Sequence, residues 1–235
     1  MIKYFSRSKS ATYSLVFTLP LFLIYEFGLM SLGQEQVPLL RNGADVLLRR
    51  MLEVIGLNGL QAFGFVMLVA LVMILVGQIR KEATFSMKSS VLFAMGVESI
   101  FWSLGLYFGM AFLERSLLTH TVSGWMHQVV LAVGAGIYEE LVFRAALVTG
   151  LSYLLVFFFR WRRSTSLAGA IFLSSLIFSV FHFLGSAADQ YSFNLLLFRL
   201  SGGIYLGILY VTRGYGITAW SHSIYDLIVL LTITV

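Results

Sequence analysis

Charged residues are scarce in this chain. Of its 235 residues, 11% are Asp, Glu, Lys or Arg, whereas 59% are hydrophobic. Soluble domains carry about a quarter charged residues, so this chain has too few of them to cover a surface that faces water. The composition therefore predicts a protein that crosses a membrane several times. The net charge of +5 does not indicate nucleic-acid binding, because the Lys and Arg residues stand mainly at the ends of apolar segments.

Cysteine is absent, which excludes disulfides, a thiolate nucleophile and Cys-ligated metals. A serine nucleophile also lacks support, because Ser221 and Ser223 flank His222 without the Gly-x-Ser-x-Gly pattern of a nucleophile elbow. A cleaved signal peptide is not expected, because the first apolar run exceeds the roughly 7–15 residues of a signal sequence and no small-residue cleavage site follows. With no repeat or water-soluble region visible, we expect one integral membrane domain over 1–235, with its motifs in a core at about 128–235.

Long apolar segments dominate what is present. A transmembrane helix needs about 20 mainly apolar residues. This rule predicts an all-α, polytopic membrane helix bundle of about seven transmembrane helices, at 11–33, 59–79, 89–113, 128–159, 166–184, 195–212 and 215–235. The fourth segment is too long for one untilted span, so it should tilt, break near Gly150 or extend beyond the membrane.

The basic residues predict an orientation. Those flanking the predicted spans fall on one side of the membrane if the amino terminus is cytoplasmic: Lys3, Arg7, Lys9, Arg80, Lys81, Lys88, Arg160, Arg162, Arg163 and Arg213. Arg41, Arg49 and Arg50 oppose this arrangement. They lie in or beside 42–56, where apolar residues can line one helical face, so we expect an interfacial amphipathic helix there.

Three short patterns place ionisable residues within apolar segments. They are Glu139-Glu140-x-x-x-Arg144, Phe178-x-x-x-His182 and His222-x-x-x-Asp226. Ionisable groups are costly at membrane depth, so such a set indicates a shared function. Carboxylates and imidazoles are also the groups that activate a water molecule and stabilise a tetrahedral intermediate.

Spacing suggests how these residues are arranged. Adjacent Glu139 and Glu140 point about 100° apart on an α-helix. Glu140 and Arg144 have the i,i+4 spacing of a helical ion pair, which leaves Glu139 to face a cavity. Glu139 and His182 both lie about 20 residues from the basic turn at 160–163, or about 30 Å along their helices, so antiparallel packing should bring them to a similar depth.

Simpler interpretations stay open for each pattern. The Glu–Arg pair can be purely structural, and His222 with Asp226 can be a helix-stabilising contact. Glu139, His182 and His222 can also form a zinc set, although the His-Glu-x-x-His signal is missing. Glu26, Glu98 and Arg199 can line the cavity, pair with one another or serve packing. Tyr138, Trp220 and Ser223 flank motif residues and can support the site.

In this order and on separate membrane helices, the three patterns resemble the CPBP family of intramembrane proteases. That family includes the CAAX prenyl endopeptidases and their bacterial relatives, the Abi or bacteriocin-processing proteins. The resemblance covers roughly 135–230. It implies an enzyme of the bacterial cytoplasmic membrane whose substrates are hydrophobic, precursor or lipid-modified peptides, with the bilayer as its surroundings and no nucleic acid as partner.

The resemblance also implies roles. Glu139 would be the general base, and His182 would help to hold the water. His222 and Asp226 would stabilise the oxyanion, with Glu140 and Arg144 supporting the site. The prenyl-protein enzymes carry Asn where this chain has Asp226, and ionised Asp has no proton to donate.

We therefore expect an intramembrane endopeptidase of the glutamate type, acting without a cofactor. Zinc or another divalent metal on Glu139, His182 and His222 is the alternative within that function. Two other classes stay open, namely a proton- or ion-coupled carrier and a non-catalytic immunity or assembly partner. The lack of an inverted repeat between the two halves of the chain argues against a carrier.

Overall fold

The structure is a computed structural model, and it describes residues 2–33, 35–54, 56, 72–73, 76–77, 80, 87–113, 124–184 and 188–233. The span predicted at 59–79 lies outside the described residues, apart from a few isolated helical positions. Everything else stated about the fold concerns the described ranges.

The described residues are helical, with no β-strand among them. The helices are α1 (Ile2–Ser8), α2 (Ala11–Ser31), α3 (Val37–Leu40), α4 (Gly43–Val54), α5 (Ser89–Leu113), α6 (Trp125–Phe159), α7 (Arg163–Phe181), α8 (Phe193–Arg213) and α9 (Tyr215–Ile233). This confirms the predicted all-α membrane helix bundle.

Five of these helices are long and apolar enough to cross a membrane, namely α2, α5, α6, α7 and α8. Each occupies a segment that the sequence predicted to span. Helix α9 also forms where the seventh span was predicted but is not among the five. It carries Ser221, His222, Ser223 and Asp226, which lower its hydropathy.

Helix α6 has an unusual centre. Residues Trp125–Gly134 and Thr149–Phe159 are α-helical, whereas Ala135–Val148 between them are wound as a π-helix. The helix does not break at Gly150, which lies within its last α-helical part. π-Helices close i→i+5 hydrogen bonds and usually occur as single turns at functional sites. A π-turn holds more residues than an α-turn, so each residue advances the helix by less than 100°. The predicted angle of 100° between the Glu139 and Glu140 side chains is therefore too large.

Helix α4 forms where the interfacial helix was predicted, but its polar face points inward. Asp45 is fully buried and Arg49 is 5% exposed, whereas Met51 and Val54 are 60% and 87% exposed. The predicted apolar face is therefore on the outside. The inward face is stabilised because Arg49 bonds to Asp45 one turn earlier, with 2.6 Å between Nε and Oδ1.

The packing of α9 against the π-helical part of α6 requires a glycine. A Cβ atom at Gly136 would overlap the Ser223 hydroxyl and the Ala219 carbonyl oxygen. The two helices approach closely at this point because Gly136 has no side chain, as is common in membrane bundles. This contact brings His222 beside the two glutamates of α6.

The second motif ends at one end of α7. Helix α7 begins at Arg163, next to the basic turn, and His182 directly follows its last residue. Nineteen residues at 1.5 Å each place His182 about 28 Å from the basic turn, which is nearly the thickness of the hydrocarbon core. His182 and the basic turn are therefore at opposite ends of α7.

Replacing Gly136 by Ala should destabilise the protein by about 1–3 kcal/mol, since the added methyl group forces α6 and α9 apart. Gly150→Ala is the matched control, because nothing lies within 4 Å of a Cβ atom at that position of the same helix. The thermal unfolding midpoint of the two variants in one detergent measures the difference. Equal midpoints would contradict the close approach at Gly136.

Candidate active site

Glu140 is the buried centre of the site. Its side chain is completely inaccessible to solvent, and its Oε1 lies 3.0 Å from Arg144 Nη1. The Nδ1–H of His222 donates to the same oxygen over 2.7 Å. The Glu140 carboxylate thus contacts both Arg144 of α6 and His222 of α9.

Arg144 is enclosed by α7 and α8. Its guanidinium carbon lies 4.4 Å from the centre of the Phe178 ring, close enough for a cation–π interaction. Its Nη2 also approaches the Gly203 carbonyl oxygen of α8 at 3.4 Å. The Phe of Phe178-x-x-x-His182 therefore has a physical role, because it covers a fully buried cation.

Glu139 faces away from this ion pair. Its Oε1 lies 3.8 Å from His182 Nε2, which confirms that α6 and α7 bring the two residues to the same depth. The Glu139 side chain is 8% exposed and that of His182 is 24% exposed, so the pair is at the edge of the core rather than inside it.

The tautomer of His182 follows from its second hydrogen bond. Its Nδ1 lies 2.9 Å from the Phe178 carbonyl oxygen, which can only accept, so Nδ1 carries the proton. In the neutral ring, Nε2 then presents a lone pair towards Glu139. Two proton acceptors therefore face the same space.

Asp226 completes the set on α9. Its Oδ2 lies 3.5 Å from His222 Nε2, and its side chain is 26% exposed. The structure thus brings together all six residues singled out in the sequence: Glu139, Glu140, Arg144, His182, His222 and Asp226. Their chemical roles stay predictions.

Asn42 is a site residue that the sequence analysis missed. Its Nδ2 donates to Glu139 Oε1 over 2.8 Å, although the two residues are 97 positions apart. Its Oδ1 accepts from the Ala44 N–H over 2.9 Å, which makes Asn42 the N-cap of α4. An Asn before an amphipathic segment is a readable helix-start signal, but its contact with Glu139 depends on the fold alone.

A buried polar network holds Asn42 in place. The Tyr25 hydroxyl accepts from the Asn42 N–H over 3.1 Å and donates to Asp45 Oδ2 over 2.9 Å. Asp45 also pairs with Arg41 and Arg49, and Arg49 reaches Glu26 at 3.2 Å. The inward face of α4 is thus tied to α2 through paired charges.

One alternative from the sequence was that Glu26, Glu98 and Arg199 pair with one another. The structure shows that each pairs with a different residue. Glu26 pairs with Arg49, Glu98 with Arg213, and Arg199 with Asp189. None of the three pairs has the i,i+3 or i,i+4 spacing of a helical ion pair, which is why spacing along the chain could not identify the partners.

Tyr138, Trp220 and Ser223, which flank motif residues in the sequence, contact other parts of the bundle. Tyr138 donates to Glu26 Oε1 over 2.9 Å, and the Trp220 indole donates to the Phe17 carbonyl oxygen over 2.6 Å. Ser223 packs against Gly136. Tyr138 thereby connects the π-helical part of α6 to the network around α4.

The alternative zinc set of Glu139, His182 and His222 has no support in this geometry. Across the described parts of the chain, no three His, Cys, Asp or Glu side chains converge as a metal site would require. We therefore derive no step through a metal from these residues.

The bundle thus gathers paired carboxylates and imidazoles in one place. Residues 121–228, just under half of the chain, match the family described as type II CAAX prenyl endopeptidase Rce1-like. This match supports the resemblance of the three motifs to the CPBP, or CAAX protease, family. Neither the curated proteins nor the solved structures contain a match.

Replacing Asn42 by Ser should lower the activity of the site by roughly ten- to a hundredfold, as expected for loss of a hydrogen bond to a charged group. Ser keeps an oxygen that can cap α4 but is too short to reach Glu139, so the unfolding midpoint should stay close to wild type. The activity is the yield of membrane-peptide fragments per unit of protein. Asn194→Ser, at an exposed position of α8, is the matched control. Equal fragment yields from the two variants would contradict a role for Asn42.

Proposed function

We propose that this protein is an endopeptidase that hydrolyses a peptide bond of a membrane-associated substrate by direct attack of water. The observation that carries the proposal is the approach of Glu139 and His182, two acceptors 3.8 Å apart at the accessible edge of the site. The match of residues 121–228 to a protease family supports the same reaction class.

Glu139 is the general base in this proposal. A water molecule beside it donates one hydrogen bond to the carboxylate and the other to His182 Nε2, which leaves an oxygen lone pair free for the scissile carbonyl carbon. As the C–O bond forms, the proton moves to Glu139, and it then passes to the leaving amine as the C–N bond breaks. Asn42 keeps the carboxylate in position by its hydrogen bond to Oε1.

His222 and Asp226 stabilise the oxyanion that forms on the carbonyl oxygen. Both lie on α9, and Asp226 is accessible to a substrate. In this role Asp226 is neutral and His222 carries a proton on both ring nitrogens, because only an O–H or N–H group can donate to the oxyanion and the Nδ1–H of His222 is given to Glu140. Glu140 orients the ring of His222 through Nδ1, and Arg144 balances the charge of Glu140.

The substrate is a hydrophobic, precursor or lipid-modified peptide. Large apolar side chains are exposed around the outside of the bundle, so a membrane-embedded segment can reach the partly exposed His182 and Asp226 laterally. Asp226 in place of the Asn of prenyl-protein enzymes favours substrates other than prenylated proteins. With the basic turn in the bacterial cytoplasm, His182 lies nearer the opposite face of the membrane.

Glu139→Gln should abolish proteolysis without changing the fold, since the amide cannot accept a proton from water. The test compares membrane-peptide fragments from cells that make the wild type, Glu139→Gln, or the control Glu53→Gln at equal abundance. Glu53 is exposed at the end of α4 and makes no contact with the site. Fragments should appear with the wild type and the control and be at least 10²-fold fewer with Glu139→Gln.

Two results would contradict this function. Identical fragment profiles in the presence of a known substrate would rule out the peptidase. Substrate movement that follows the proton gradient and stops in Glu139→Gln would instead indicate a carrier.

Substitution of Asp226 tests its role as a donor. Asp226→Asn keeps a group that donates a hydrogen bond, so it should retain at least about a tenth of the fragment yield, whereas Asp226→Ala should lose about 10²–10³-fold. The yield at equal protein abundance is the measurement. If Asn and Ala at 226 reduce it equally, Asp226 does not act by donating a hydrogen bond.

A further inference from the structure

A second concave site lies on the other side of α6. It is a cavity of about 810 Å³ between α2, α6, α7 and α8, within the range of pockets that enclose small ligands. Its walls are mainly apolar: Leu15, Phe22, Leu141, Val148, Val156 and Leu167. Tyr153 and Val156 are 68% and 40% exposed, so the cavity opens towards the surrounding lipid.

This groove is separate from the proposed active site. Ile137, Leu141 and Ala145 line it at successive steps of four along α6. Glu140 and Arg144 follow the same spacing but are shifted by one residue, and neither lines the groove. The two sites therefore use different faces of the same helix.

One end of the groove is basic. Lys9 and Arg163 line that end, and no acidic residue is among the described residues that line the groove. Lys9 Nζ donates to the Val211 carbonyl oxygen over 2.5 Å. Two of its three N–H groups are therefore left to donate to a ligand. Arg163 is exposed, and within the described ranges it has no ion-pair partner.

A buried hydroxyl group lies one turn beyond Arg163. Ser166 lines the groove and is completely buried, yet its Oγ has no hydrogen-bond partner among the described residues. Buried polar groups nearly always have partners, so this hydroxyl is suited to an acceptor supplied by a ligand.

The length of the groove matches a lipid. On α2 it extends from Ala11 to Phe22, which at 1.5 Å per residue is about 16 Å. One leaflet supplies about half of the roughly 30 Å hydrocarbon core. The groove can therefore hold an acyl chain along its whole length while the headgroup of the same lipid remains at the basic end.

We propose that this groove binds a phospholipid with an anionic headgroup. An acyl chain lies between α2 and α6, and the phosphate is bound by Lys9 and Arg163 with the Ser166 hydroxyl beneath it. Two unopposed cations favour an anionic over a zwitterionic headgroup, as in basic pockets between membrane helices. A peptide is disfavoured because the apolar walls offer few partners for backbone N–H and C=O groups.

The test is native mass spectrometry of the protein released from bilayers with equal amounts of phosphatidylglycerol and phosphatidylcholine. The wild type should retain phosphatidylglycerol in preference to phosphatidylcholine. Lys9→Gln/Arg163→Gln should retain at least about tenfold less of it, since each basic group contributes to binding. Arg160→Gln/Arg162→Gln removes the same charge from the adjacent turn, does not alter the groove and should retain as much as the wild type.

A third variant tests the chain-binding part without changing the charge. Ser152→Phe fills the middle of the groove and should release the lipid although Lys9 and Arg163 are intact. If the double variant does not fold, Lys9→Gln and Arg163→Gln are measured singly, and each should retain less phosphatidylglycerol than the wild type.

The proposal is overturned by any of three results. The first is equal retention of the two lipids by the wild type. The second is equal loss in the double variant and in its control, which would mean general attraction to surface charge. The third is unchanged retention in Ser152→Phe, which would place the lipid outside the groove.

Discussion

The arrangement of the site depends on one buried carboxylate. Glu140 has no solvent exposure, forms an ion pair with Arg144 and is hydrogen-bonded to His222, so it connects α6 with α9. Arg144 in turn contacts Phe178 of α7 and Gly203 of α8. A charge at this depth is tolerated only when it is paired and hydrogen-bonded, because removing one partner leaves the other charge buried and uncompensated. Four helices are thus held in one relative position by a single ion pair and its contacts.

In the π-helical centre of α6, the ion pair of Glu140 leaves the adjacent Glu139 free for a different role. Glu140 is committed to Arg144 and His222, while Glu139 faces His182 and Asn42. Two adjacent carboxylates therefore have different partners and different exposure. The buried one supports the site, and the more accessible one has the surroundings of a general base. The close approach at Gly136 completes this geometry by bringing α9 against the same part of α6.

The first half of the chain contributes more than a membrane anchor. Helix α4 turns its polar face inward, and its paired charges connect Tyr25, Asp45 and Arg49 to Glu26. Asn42 at the start of this helix contacts Glu139 directly. The matched family region begins at residue 121, so this support for the site lies outside it. The groove with Lys9 at its basic end likewise combines α2 with helices of the matched region.

Much of the fold and of the site could be predicted because it depends on near neighbours along the chain. Apolar runs of membrane-spanning length predicted the helix bundle, and i,i+4 spacing predicted the Glu140–Arg144 pair. The equal distance of Glu139 and His182 from the basic turn predicted their proximity, since an antiparallel hairpin is a local arrangement. Other features join residues far apart in sequence, such as Asn42 with Glu139 and Glu140 with His222, and no spacing rule reaches them. The π-winding of α6 and the inward polar face of α4 were decided by tertiary packing, because their stability comes from partners on other helices rather than from local propensity.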